Sequence, residues 1–439
     1  MDELIVIGGG LAGSEAAWQA AERGIHVKLI EMRPECNSPA HKTSWLAELV
    51  CSNSMGSVIF EKAGGLLKKE LTALRSLLLN CAEKHKIPGG SSLSVDRDEF
   101  AKEVTQQIEN HPNIELIRQE MKDIPTAPCI IASGPLTSRA LAEKIQDFTE
   151  EPYLYFFDAI APIVEKDGID FSIAFYANRY GIGEDEKGDY INCPFNRNQY
   201  QDFFDDLISA RRIEIRDFEK KETYFEACLP IEVLASRDHL ALAYGPMRPI
   251  GITNPHSKEK PFAVIQLRQD NLAGSLYNMV GFQTNLAYNE QERIFRKIPG
   301  LKNVTFIQFG QMHRNTYLCS PKVLLPTLQT KRRKDIFFAG QISGVEGYLG
   351  SIASGLVAGI NAARYIKGEE ILSFPIDTMT GALCNYLAFA DANHFQPMKA
   401  NFGLLSDIGL PIYSRRIRAK VKSSRAIKAM QDFIMKNHL

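Results

Sequence analysis

"ELIVIGGGLAGSEAAWQAAERGIHVKLIEMRP" (residues 3–34) carries the decision about the fold. The short apolar run Leu4 to Ile7 has the length and composition of a strand buried on both faces. Gly8, Gly10 and Gly13 follow in G-x-G-x-x-G spacing, then an alanine-rich helical stretch, then a second strand, HVKLIE, that closes on Glu31. Each glycine answers a separate demand. Gly8 permits the tight turn, Gly10 lets backbone approach a pyrophosphate, and Gly13 lets the helix pack closely on the strand. The helix N-terminus offers unpaired N–H groups and the positive end of its dipole to phosphate. Glu31 is placed to accept hydrogen bonds from the adenosine ribose hydroxyls. It would repel a 2′-phosphate, so FAD or NAD fits this site and NADP does not.

Two later segments extend this unit. APCIIASGPLTS (127–138) reads as another apolar strand ending in small residues, Gly134 among them. KDIFFAGQISGVEGYLGSIASGLVAGINAAR (334–364) is a strand, a glycine-rich turn holding Gly340, Gln341 and Gly347, and a helix of small residues. In FAD enzymes of the glutathione-reductase kind, such a late unit brings a helix N-terminus to the isoalloxazine ring. The competing reading is simple close packing of Ala and Gly. No second G-x-G-x-x-G unit occurs, so a dedicated nicotinamide domain is not expected, and NADH or NADPH must visit the flavin directly.

Between these segments the pattern changes. Strands such as PFAVIQLRQ and LYNMVGFQT alternate with loops at 181–189 and 253–260, and the acidic EDEKGDY falls here. The expected fold class is α/β: a Rossmann-like, glutathione-reductase-like FAD-binding domain interrupted by an α+β insertion domain. The first part of the FAD-binding domain spans 1–152 and the insertion 153–304. The second part, 305–439, ends in a basic tail.

The 439 residues suffice for two or three domains, and 45% hydrophobic with 23% charged content is ordinary for a globular chain. A net charge of -1 gives no global attraction to nucleic acid, so a polyanion would have to meet local basic patches. Eight cysteines, at 36, 51, 81, 129, 193, 228, 319 and 384, form no C-x-x-C and no zinc-finger spacing, so no metal site is expected. Scattered thiols suggest a reducing, cytoplasmic setting, and no apolar run reaches membrane-spanning length. The tail RRIRAKVKSSRAIK (415–428) has seven basic residues and no acid. It is either a solvated helix face or a surface for RNA phosphates, with Arg415, Arg416, Arg418 and Lys420 the candidates. KRRK (331–334) either extends that patch or is a polar turn.

Three residues invite chemical readings. Cys51 sits in AELVCSNS (47–54), where polar neighbours can donate to a thiolate; a packing role is the alternative. Cys228, in YFEACLPIE (224–232), is unremarkable by itself. His313, in MHRNTYL (312–318), could stack on a planar ligand, handle a proton, or simply be hydrogen-bonded in a loop.

Taken together with VDRDEF (95–100), IIASGPLTS (130–138), LYFFDAIAPIV (154–164), GPMRPIG (245–251), AVIQLRQDN (263–271), NMVGFQT (278–284), FFAGQISGVEGY (337–348), ASGLVAGINAAR (353–364) and DANHFQPMKANFGLL (391–405), these stretches resemble the bacterial folate- and FAD-dependent tRNA (uracil-5-)-methyltransferases, the TrmFO family. The resemblance runs from residue 4 to about 405. The larger GidA-type flavoenzymes of the tRNA wobble uridine are relatives in fold.

The resemblance implies formation of 5-methyluridine at the T-loop uridine, U54, of tRNA. It implies 5,10-methylenetetrahydrofolate as carbon donor, with FAD and NADH or NADPH as reductant. Uracil C5 is a poor nucleophile, so a thiolate must add at C6, and a base must later remove the C5 proton. Cys51 and Cys228 match the family's functional pair. One attacks and the other takes the proton, with Cys228 preferred as nucleophile. His313 matches the histidine expected against the folate pterin, and Glu346 is a candidate for pterin or flavin hydrogen bonding. The partners implied are the tRNA T-arm, folate and nicotinamide, with no membrane and no stable protein partner. The chain departs from the family pattern at Met55-Gly56-Ser57, where Leu and a basic residue are usual, and at Gly350, where an acid is expected. The competing class is an NAD(P)H-dependent flavin oxidoreductase of a small molecule; a non-catalytic flavin-containing RNA-binding scaffold is a third.

Overall fold

The computed structural model describes residues 3–38, 40–183, 187–213, 229–257, 260–409 and 414–439, without the side chains of 156–159 and 313–314. Strand β1 (Glu3–Ile7), helix α1 (Leu11–Ala21) and strand β2 (His26–Glu31) form the unit expected from the glycine pattern. β1 and β2 pair in parallel, Leu4 opposite Val27 and Ile7 opposite Ile30. Leu4, Val6, Val27 and Leu29 are all fully buried, which explains the near-continuous apolar run in place of alternation. The parallel sheet runs, in order, Ile336–Phe338, Cys129–Ile131, β1, β2 and Ile114–Arg118. Its first edge strand comes from the last third of the chain, so both ends of the sequence build one sheet.

The late helix Tyr348–Ile366 locks onto α1. A Cβ on Gly355 would lie 2.2 Å from the Ala12 carbonyl oxygen, and one on Gly359 would lie 2.4 Å from that of Ala16. The close-packing reading of this segment therefore holds. Its small residues let two backbones touch, and that contact fixes where the helix N-terminus points.

The chain leaves this unit along Leu154–Ala159 and returns along Met312–Tyr317, which pair antiparallel. Between them lies a second sheet of six antiparallel strands, in the order Phe175–Tyr176, Tyr190–Phe195, Ala263–Gln269, Leu276–Met279, Ile163–Glu165 and Phe306–Gln308. Its inner face packs on an aromatic cluster that includes Phe195, Phe203, Phe282 and Phe295. The basic tail is a helix, Arg415–Asn437. Among the described residues, no helix is long and apolar enough to cross a membrane.

A small third sheet matters for the site. Strand β3 (Ser54–Ser57) pairs with Ser92–Val95. Helix α2 (Ala63–Ala73) sends Lys68 beneath it, where Nζ donates to the carbonyls of Met55, Gly56 and Ser57 at 2.7, 3.0 and 3.0 Å. Gly56, one of the departures from the family pattern, has φ +77° with open space beside it. The turn thus needs glycine for its backbone, while the Met55 side chain enters the core.

Two residues further on, Glu70 is fully buried and accepts from the N–H groups of Met379 and Thr380 and from the Thr380 hydroxyl. Burial raises its pKa to about 7. The folded chain then keeps a proton that the unfolded chain has lost. The contribution of Glu70 therefore falls as pH rises from about 4.5 to 7, by on the order of 3 kcal/mol. Glu70→Gln removes this term, so its stability relative to the wild type rises between pH 5 and pH 8. Urea midpoints at the two pH values check the change.

Candidate active site

A cleft of about 610 Å³ opens over the C-terminal edge of the parallel sheet. It is lined by Gly8, Gly10, Glu31, Gly134, Gly340, Gln341 and Gly347, with Cys51 and Glu346 on the same wall system. Every cofactor residue expected from the sequence lines it except Gly13, and Gly13 has the other task foreseen for it. A Cβ there would lie 1.7 Å from the Gly8 carbonyl oxygen, so the absence of a side chain is what lets α1 sit on β1. Gly10 and Gly134, by contrast, have nothing within 4 Å of a built Cβ. That open space beside the first N–H groups of α1 is the cradle a pyrophosphate requires.

Glu31 is 4% exposed, and its carboxylate accepts from the Gly9 N–H at 2.7 Å and from the Arg33 N–H and Nε at 3.0 and 2.9 Å. Burial opposes ionisation, but Arg33 and the two backbone donors outweigh it and hold the pKa below the usual carboxylate value. The acid is therefore ionised at the edge of the cleft, as ribose binding and rejection of a 2′-phosphate require. At the far end, Gly347 at φ +83° starts the late helix, and Tyr348, Leu349, Gly350 and Ser351 of its first turn line the cleft. Glu346 is 6% exposed and accepts from Gln341 Nε2 at 3.2 Å. The donors, the open cradle and the ionised acid fit FAD.

Cys51 differs from the buried thiols among the described residues in where it sits. Burial pushes Cys81, Cys129 and Cys384 up to about 12 and raises Cys193 further, which makes them inert packing groups. Cys51 is half-buried and lines the cleft. Its backbone is pinned from a distance in sequence, because Tyr348 Oη accepts the N–H groups of both Cys51 and Ser52 at 2.9 Å. Two guanidiniums interact electrostatically with the thiol, Arg97 and Arg268. Arg97 donates to Asp270 at 2.8 Å and to the Leu49 carbonyl at 3.0 Å. Arg268, 8% exposed, donates from Nε to Asn53 Oδ1 at 2.9 Å. Asn53 in turn donates to the Val95 and Gln269 carbonyls, so the CSNS segment is tied to the insertion.

Tyr348→Phe tests the pin. It removes the one oxygen that accepts two N–H groups, with an expected loss of about 1–3 kcal/mol in stability. Turnover is expected to fall about ten-fold or more as the thiol loses its fixed position. Urea unfolding and single-turnover kinetics read the two effects separately.

Not all expected residues come together here. Cys228 lies outside the described residues. His313 lies on the strand Met312–Tyr317, opposite Asp158 in register, with its side chain outside the description. Arg97, Arg268 and Tyr348 were not singled out from the sequence. For Arg268 the available signal was an arginine one residue from the end of AVIQLRQ, a strand buried along nearly its whole length.

Of the two readings of KRRK, the structure supports the polar turn. In KRRK, Arg332 pairs with Glu150 and donates to the Phe148 carbonyl, while Arg333 pairs with Asp335 and donates to the carbonyls of residues 125 and 126. The segment is a turn whose arginines close local gaps. In the tail, Lys422 and Arg425 are likewise engaged with carbonyls of the 402–407 loop. Arg415, Arg416, Arg418 and Lys420 are exposed.

A family model described as "Glucose inhibited division protein A" (GIDA) matches residues 3–370. The methylenetetrahydrofolate–tRNA-(uracil-5-)-methyltransferase TrmFO of Anoxybacillus flavithermus is 50% identical over 434 residues, covering 99% of this chain and 100% of that protein. The protein of the same name from Bacillus subtilis is 49% identical, covering 97% of each. Among solved structures, GidA of Aquifex aeolicus superposes with a TM-score of 0.69 at 17% identity, covering 98% of this chain and 73% of that one, a likeness of fold.

Proposed function

The chain belongs to the TrmFO methyltransferases, within the GIDA family, and on that premise we propose that Cys51 is one of the two working thiols of its cleft. The enzyme forms 5-methyluridine in tRNA from 5,10-methylenetetrahydrofolate, with bound FAD. When bound, FAD supplies the reducing equivalents that turn a methylene into a methyl group, drawn from NADH or NADPH.

The chain's own residues do the rest. Backbone N–H groups at the start of α1, with Glu31, hold the dinucleotide end, and Gly340, Gln341 and Gly347 approach the ring end. Glu346 orients a polar edge of the flavin or pterin, and His313 stacks against the pterin. Cys51 acts at the uracil ring, either adding to C6 or removing the C5 proton, with Cys228 in the complementary role. The observation that carries this is the half-buried thiol whose backbone Tyr348 pins at the cleft wall, which Arg268 also lines. An enzyme that only passed hydride would need no thiol there. The target is the T-loop uridine, U54, and a cytoplasmic setting suits a chain that keeps its thiols reduced.

The tRNA is met by the exposed end of the helix Arg415–Asn437. Its first turn carries no acid, and its cations crowd the positive end of the helix dipole, an arrangement unfavourable for the helix alone and favourable once phosphates arrive. Replacing Arg415, Arg416, Arg418 and Lys420 by Ala should weaken tRNA binding and flatten its log–log salt dependence by roughly 3. Filter binding at several salt concentrations checks this.

The decisive assay is incubation of the holoenzyme with unmodified tRNA transcript, methylene-labelled folate and NADH. Label appears in 5-methyluridine at U54. Label that stays with folate while the flavin is reduced would sink the proposal.

A further inference from the structure

A solvent-facing tyrosine on the insertion has a geometry that the cleft chemistry does not use. Tyr180 is held in the left-handed region, φ 58° and ψ 20°, with its N–H donating to the Gly251 carbonyl at 2.8 Å. A Cβ built on Gly251 would lie 2.9, 3.0 and 3.0 Å from Cε1, Cδ1 and Cε2 of that ring. Near-equal distances to atoms on both sides of the ring mean that Gly251 faces its flat surface. The ring therefore lies face-down on a glycine backbone, yet it is 65% exposed, so the other face is open to solvent.

Two cations flank it. Arg179 donates from Nε to Gln266 Oε1 at 2.8 Å and from Nη1 to the Ile250 carbonyl at 2.9 Å. Arg248 is exposed and repels Arg179, and neither forms an ion pair among the described residues. Glu184, Asp185 and Glu186 lie outside those residues. Gln266 shares a strand face with Arg268, two positions and about 7 Å further on, and Arg268 lines the cleft. Through Gln266, Arg179 thus ties this patch to the strand whose Arg268 lines the cleft.

An immobilised ring with one free face takes another planar π-system, and guanidiniums that form no ion pair among the described residues take anions. Unpaired nucleotides offer both, and proteins read looped RNA by stacking splayed bases on aromatic side chains. We propose that Tyr180 is a stacking platform for an unpaired tRNA base flanking the target uridine, with Arg179 and Arg248 on the adjoining phosphates. The proposal rests on the assignment of tRNA as substrate and adds the surface that receives its loop.

The test uses FAD-loaded full-length enzyme and unmodified tRNA transcript, with filter binding across salt concentrations. Tyr180→Asn removes the ring while keeping a residue that tolerates the left-handed backbone. Its affinity should fall about 5- to 100-fold, whereas Tyr180→Phe stays within about two-fold. Arg248→Ala should lower the salt slope by about one. Reduction of the flavin by NADH, unchanged in all three, reports an intact fold. If the wild type binds tRNA and Tyr180→Asn binds it equally, the platform is overturned and the methyltransferase reading stands. If the wild type itself does not bind tRNA, that reading falls with it. If Tyr180→Asn loses self-association in sedimentation while tRNA affinity holds, the patch is a contact between copies and the proposal is again overturned.

Discussion

Cys51→Ala is expected to lose methyl transfer to tRNA by at least 10²-fold while keeping its yellow flavin and its reduction by NADH. The thiol lies on the cleft wall, and nothing that holds the dinucleotide depends on its sulfur. The backbone pin from Tyr348 uses the N–H groups of Cys51 and Ser52, which alanine retains. The size of the loss separates the two roles. A missing general base costs about 10²- to 10⁴-fold, whereas a missing nucleophile removes the covalent route altogether. A tRNA carrying 5-fluorouridine at the target makes the distinction directly, because the C5 substituent cannot leave as a proton and the thiol adduct accumulates. Adduct retained in Cys51→Ala assigns the proton to Cys51, and adduct lost assigns the attack to it. Wild-type turnover in Cys51→Ala would remove this residue from the chemistry.

The second large effect concerns two neighbouring glycines that look alike in the sequence and differ in space. Gly13→Ala places a methyl group 1.7 Å from the Gly8 carbonyl oxygen, where only backbone movement could relieve it. α1 would have to lift from β1, and its contact with Gly355 and Gly359 of the late helix would be lost with it. The expected result is loss of both folded protein and flavin. Gly10→Ala meets nothing within 4 Å and has φ -75°, an ordinary value for alanine. The variant should melt within a few degrees of the wild type when stripped of FAD. Its methyl group then occupies the cradle, and FAD affinity falls by roughly 5- to 150-fold, the equivalent of about 1–3 kcal/mol of overpacking. Thermal melts with and without FAD separate the two outcomes. Equal behaviour of the two variants would contradict the division of labour between these glycines.

The cofactor half of the site was legible because its information is local. Strand, glycine turn, helix, strand and terminal acid occupy 29 consecutive positions from Glu3 to Glu31, and hydrophobic period and glycine spacing act at that range. The late segment was legible for the same reason, down to the placement of Gly340, Gln341 and Gly347 at the cleft. The basic tail was half legible. Charge count marked seven residues, but the sequence could not show that Lys422 and Arg425 turn inward to cap a loop. KRRK was open between patch and polar turn, and the structure makes it a turn whose arginines close on Glu150 and Asp335.

By itself, the sequence determined the cofactor class, the discontinuous domain and, through long collinear motifs, the family, and the resemblance to that family nominated Cys51 and Cys228 as the working thiols. Only the tertiary structure decided what surrounds Cys51. The phenol that pins it stands 297 positions away, and the guanidinium tied to Asn53 stands 215 positions beyond that residue. No periodicity or spacing rule reaches so far. Those groups meet because Leu154–Ala159 and Met312–Tyr317 bring the insertion back against the cofactor sheet, and because Gly355 and Gly359 let the late helix close on α1. The same packing turns a cysteine that local context would make a core residue into an anchored thiol beside two cations.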